Sequence, residues 1–75
     1  MKINEILTTN GRKFAICSGK DIKYGFQCKK IQIQGTALKI LNCYVQESAT
    51  AGIMVAYLTL EDDAPVLTGE FDVIE

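Results

Sequence analysis

Gly52-Ile53-Met54-Val55-Ala56-Tyr57-Leu58-Thr59-Leu60 is the most apolar run of the 75-residue chain, and its reading decides the fold. Laid out as a strand, it puts Ile53, Val55 and Tyr57 on one side and Met54, Ala56 and Leu58 on the other. A segment apolar on both faces belongs in the middle of a structure, covered by other elements. Gly52 before it and Glu61-Asp62-Asp63-Ala64-Pro65 after it punctuate a strand that ends in a turn. The competing reading is a helix over Ser48–Leu60, capped by Ser48-Ala49-Thr50-Ala51, with Ile53, Ala56, Tyr57 and Leu60 on one face. A helix would hold Gly52 in its interior at a cost of about 1 kcal/mol. It would also oppose the preference of Val55, Tyr57 and Thr59 for a pleated surface. The strand is the better reading.

Working outward, the same punctuation recurs. Met1–Leu7 reads as a short first strand or lead-in anchored by Ile3 and Ile6, and Thr8-Thr9-Asn10-Gly11 as a tight turn. Lys13–Ser18 follows as a strand, with Phe14 and Ile16 on one face and Ala15 and Cys17 on the other; Ser18-Gly19-Lys20-Asp21 turns the chain again. Ile22–Cys28 alternates apolar Ile22, Tyr24, Phe26 and Cys28 against Lys23, Gly25 and Gln27, which predicts a half-buried strand with the two aromatics facing the core. At Lys29-Lys30 the phase slips by one before Ile31 and Ile33, which calls for a bulge or a break. A second slip separates Leu38 and Ile40 from Leu41, Cys43 and Val45, so a bulge or strong bend is expected inside Ala37–Gln46. The last strand is Glu70–Ile74, with Phe71 and Val73 on one face, and Pro65 belongs in the turn or at a strand start. Six or seven short strands, with phase slips that bend them, predict an all-β domain: a small closed or partly open β-barrel occupying residues 1–75 as a single unit.

Composition narrows the function classes. A domain of this size buries only about 60% of its unfolded surface, so its stability is modest. No stretch approaches the roughly 20 apolar residues of a membrane-spanning helix, and the first residues lack the apolar core of a signal peptide. Cys17, Cys28 and Cys43 are odd in number and show no C-x-x-C spacing, which fits small reduced core residues and a cytoplasmic location better than a disulfide framework. With no histidine in the chain, neither a zinc site nor an imidazole base for Ser18 or Cys17 is expected. Cys28 beside Lys29 and Lys30 is the one candidate nucleophile, and Asp62-Asp63 the one carboxylate pair, read as a solvated turn. The chain is expected to be no enzyme and to hold no cofactor or small-molecule substrate.

Charge is strongly segregated along the sequence. Residues 1–39 hold every Lys and Arg and carry a net +6, whereas residues 40–75 carry −7. In a closed sheet the two sets can interleave across strands and neutralise one another; kept apart, they would make a bipolar surface. Lys20, Lys23, Lys29 and Lys30 flank Tyr24 and Phe26, a combination of cations and stacking aromatics that suits RNA or single-stranded DNA. The acidic pI of 5.3 weighs against that, and the primary expectation is a binding or accessory module acting on a protein partner or on itself.

The order of landmarks resembles the β-barrel of translational GTPases, the second domain of elongation-factor-like proteins. The matching pieces are Phe14-Ala15-Ile16-Cys17-Ser18-Gly19, then Ile22-Lys23-Tyr24-Gly25 leading to Ile31-Gln32-Ile33, then Ala51-Gly52-Ile53-Met54-Val55-Ala56, and last Leu67-Thr68-Gly69-Glu70. Together they span residues 12–74, with Phe26 and Ile53 standing where that family usually has aspartates. The resemblance implies a barrel and nothing catalytic, and the chain contains no phosphate-binding G-x-x-x-x-G-K-[ST].

Overall fold

The apolar run is a strand in the middle of the sheet. The computed structural model describes residues 1–48 and 52–75. Its elements are β1 (Lys2–Thr9), β2 (Arg12–Ser18), β3 (Lys30–Ile33), β4 (Thr36–Glu47), β5 (Met54–Leu60), β6 (Gly69–Glu70) and β7 (Asp72–Val73). Every pairing is antiparallel and the sheet order is β6-β1-β2-β5-β4-β3-β7, which places β5 at the centre. Of the rival helix, residues 49–51 lie outside the described residues, and Met54–Leu60 is β5.

Two hairpins are written directly in the sequence. Asn10 (φ 52°) and Gly11 (φ 77°) join β1 to β2, and Gln34 (φ 51°) and Gly35 (φ 78°) join β3 to β4. Two consecutive left-handed residues are what a two-residue turn needs if its twist is to match the strands it joins. Both predicted phase slips are real. β3 begins only at Lys30, and β4 carries a register shift between Ile40 and Asn42, which turns Leu41 outward. A third shift, between Ile3 and Glu5 of β1, goes beyond what the pattern predicted.

The sheet closes through its last strand. β6 pairs with β1 and β7 with β3, and only Phe71 lies between them. One short segment therefore bridges the two ends of the sheet, helped by the Phe71 N–H donating to the Met1 carbonyl at 3.0 Å. The result is a nearly closed all-β barrel, as expected. Its interior is filled by Ile3, Ala15, Cys17, Ile31, Ile33, Leu38, Ile40, Ala56, Leu58, Leu60 and Phe71, all buried.

Residues 22–28 depart from the expectation. They form no strand but an irregular connection between β2 and β3. Ile22 and Cys28 are buried at its two ends, whereas Tyr24 is 70% exposed rather than core-facing, and Phe26 is half-buried. The Phe26 N–H donates to the Lys23 carbonyl at 2.9 Å across a turn with Gly25 at φ 94°. That reversal lifts Tyr24 away from the barrel. The alternation of apolar residues came from two anchors and a turn, not from a pleat.

Candidate interaction face

In a barrel, each strand sends alternate side chains inward, so the outward set is fixed by register. On β1, β2, β5 and β4 that set falls into rows: Leu7, Phe14, Thr59 and Asn42, then Glu5, Ile16, Tyr57 and Tyr44. These rows are unusually apolar for an outer surface. Thr59 is buried between its neighbours, Phe14, Ile16, Val55 and Tyr57 are half-buried, and Leu7 and Tyr44 are exposed. Tyr44 and Tyr57 face each other across the β4–β5 ladder with ring centroids 6.3 Å apart and planes inclined at 35°. A shallow groove of about 370 Å³ runs over this face, lined by Leu7, Thr9, Phe14, Asn42, Tyr44, Gln46, Tyr57 and Thr59. None of these side chains is charged.

Among the described residues, the second face of the apolar run is thus covered only sideways, by cross-strand neighbours, and not by another layer. Sequence reasoning took Val55 and Tyr57 for core; they are the floor of an outward surface.

The lysines singled out from the sequence are spread over the β2–β3 connection and the start of β3. Lys20, Lys23 and Lys29 are exposed. Lys20 shares a hollow with Lys2, Asp21 and Glu70, and Lys30 pairs with Glu75 at 3.3 Å. Acidic groups thus accompany two of the four. Tyr24, beside Lys23, is the aromatic that this loop exposes to solvent.

Charge interleaves as a closed sheet allows. Lys2 is the cross-strand partner of Glu70, Arg12 lies with Glu61, Asp62 and Asp63, and Lys39 with Glu61 and Asp63. Residues far apart in sequence meet because β6 returns to β1, and because β5, which runs into the acidic turn, lies between β2 and β4.

The three cysteines, from β2, the β2–β3 connection and β4, converge inside the barrel as free thiols. The Cys43 thiol donates to the Phe26 carbonyl at 3.5 Å. Burial pushes the Cys17 thiol up to about 12 and the Cys28 thiol up to about 11, and it raises Cys43 as well. Lys29 and Lys30 do not offset this at Cys28, so its thiolate, the reactive form, is scarce near neutral pH. Asp62 and Asp63 are exposed in the turn after β5.

Comparison with protein-family models, curated proteins and solved structures gives no match. Among the described residues no helix is long and apolar enough to cross a membrane.

Proposed function

We propose that this barrel is a non-enzymatic binding module that works by protein–protein contact through the outward face of β1, β2, β5 and β4. The observation that carries the reading is the uncharged groove over Phe14, Tyr57 and Thr59, rimmed by Leu7 and Tyr44. A floor of that kind favours a partner that presents apolar or aromatic side chains, since aromatic anchors dominate contact energies and a charged group would be desolvated there without a counter-ion. The accessory role agrees with the resemblance to the translational GTPase barrel, which is a non-catalytic domain. The free thiols support a reducing, cytoplasmic setting.

A second reading rests on Tyr24. Exposed at a turn beside Lys23, with Lys20 and Lys29 on the same connection, it offers a stacking surface among cations to single-stranded nucleic acid.

The two readings separate in one set of experiments. Tagged wild-type protein, Tyr44→Lys and Lys23→Ala are used to capture partners from matched extracts, and each is titrated with a fluorescent single-stranded oligonucleotide at low and high salt. The protein-contact reading expects a specific captured protein that Tyr44→Lys loses and Lys23→Ala keeps. Identical capture by folded wild type and Tyr44→Lys would refute it. Oligonucleotide binding that falls steeply with salt and is lost in Lys23→Ala would install the second reading instead.

A further inference from the structure

The edge of β1 carries backbone groups that the barrel does not use. A two-residue turn makes Thr9 and Arg12 the hydrogen-bonded pair that closes the β1–β2 hairpin. Antiparallel pairing alternates from there, so Leu7 and Glu5 also direct their N–H and C=O groups toward β2. Those of Ile6 and Thr8 therefore point the other way. On that side β6 reaches only Lys2 and Ile3. Among the described residues no backbone hydrogen bond meets Ile6 or Thr8 there. Thr8 is exposed and Ile6 half-buried.

Natural sheets shield such edges with Lys, Pro or a bulge. β1 has its bulge before Glu5, but Glu5-Ile6-Leu7-Thr8-Thr9 contains neither Lys nor Pro and is rich in β-branched residues. The other long strand with a partly open side, β4, is covered where Cys43 meets Phe26 of the β2–β3 connection.

We propose that two copies of this chain pair through their β1 edges, antiparallel about a two-fold axis at Leu7. This deepens the protein-contact reading, because it names the partner and extends the same outward face across the junction. In this register Ile6 exchanges both backbone hydrogen bonds with Thr8 of the second copy, and Thr8 with its Ile6, so four otherwise unused donors and acceptor pairs are satisfied. Directly opposed residues lie on the same side of a sheet, so outward side chains meet outward ones. Leu7 faces Leu7, joining the rows into a continuous Phe14–Leu7–Leu7–Phe14 stripe. Glu5 falls opposite Thr9, beyond which stands Arg12 in the same row. A long guanidinium side chain reaches over a threonine to a carboxylate, so each end of the junction carries one Glu5–Arg12 attraction between copies. Within one chain, Leu7 and Phe14 stand between the rows of Glu5 and Arg12. Arg12 also lies with Glu61, Asp62 and Asp63 of its own chain, so the attraction to Glu5 of the second copy adds to that pairing.

The test uses the purified full chain alone, so that it stands apart from capture of any other protein. Sedimentation equilibrium is expected to show a monomer–dimer equilibrium. Thr8→Pro removes two intermolecular hydrogen bonds and is expected to weaken it roughly thirtyfold. Glu5→Lys and Arg12→Glu are each expected to weaken it, and the double variant Glu5→Lys/Arg12→Glu to restore it, a result that misfolding cannot imitate. Leu7→Cys is expected to form an intermolecular disulfide under mild oxidation that wild type does not form. A wild-type chain that stays monomeric at high concentration, a charge swap without rescue, or no Leu7→Cys cross-link would overturn the proposal. A monomeric chain that still captures a protein through the Tyr44 face would retain the broader reading and remove this one.

Discussion

Leu58 and Ile53 lie on one apolar run, yet Leu58 is fully buried while Ile53 is 47% exposed. The difference follows from parity: Leu58 faces Ala15 and Cys43 across its two ladders and points into the barrel, whereas Ile53 precedes the strand. Truncating Leu58 removes buried methyl groups and leaves a cavity in a tightly filled interior. Leu58→Ala is therefore expected to cost about 2–5 kcal/mol by denaturant titration, a large part of the stability of so small a domain. Ile53→Ala should stay within about 0.5 kcal/mol. Equal losses would contradict a register that points Leu58 inward. Lys13 shows where a residue's role escaped the sequence. It sits in register with Leu60 on the inward parity, half-buried, and its ammonium donates to the Ala64 carbonyl at 2.5 Å. Nothing in an alternating strand shows that a lysine will snorkel along the core to cap a turn that lies fifty residues later.

At the scale of elements, turns and breaks were legible because they are chemical. Asn10-Gly11 demanded a tight reversal, and the slips at Lys29-Lys30 and Leu41 demanded a break and a bulge. The region 22–28 was not legible, since period-2 spacing of Ile22, Tyr24, Phe26 and Cys28 is equally produced by a loop pinned at both ends. The interaction face was half visible: alternation put Phe14 with Ile16 and Val55 with Tyr57 on shared faces, but it took the second pair for core, and only register brings Tyr44 and Leu7 beside them. Closure of the barrel rests on the smallest element. β6 and β7 change partners at Phe71, whose buried ring fills the gap between the sheet's two ends while its N–H bonds Met1. Phe71→Ala should cost about 3–5 kcal/mol. The loss should be local before it is global: in native-state hydrogen exchange, the amides of Lys29, Lys30, Phe71 and Ile74, which make the closing bonds, should lose protection first. Uniform loss across β2 and β5 at the same time would show that closure and the central sheet open as one unit.

For the molecule as a whole, the segregation of charge along the chain says little about its surface, because topology returns the acidic half to the basic one. Lys2 with Glu70 and Lys30 with Glu75 are the visible results. What topology concentrates instead is neutral thiol. Cys17, Cys28 and Cys43 come from three separate stretches and meet in the interior, where desolvation raises all three. In an unfolded chain such thiols lose their protons near pH 8.5–9. Between that point and the folded values of about 11 for Cys28 and about 12 for Cys17, the unfolded state holds fewer protons than the folded one. Stability must then fall as pH rises, being fully present below about pH 8.5 and progressively lost up to about pH 12. Denaturant midpoints measured from pH 7 to 11 should show this decline. The variant Cys17→Ala/Cys28→Ala/Cys43→Ala, less stable at neutral pH, should show a shallower one, because its interior has no thiol proton to lose. Parallel declines in the two proteins would mean that other groups drive alkaline unfolding and that the buried thiols are only packing.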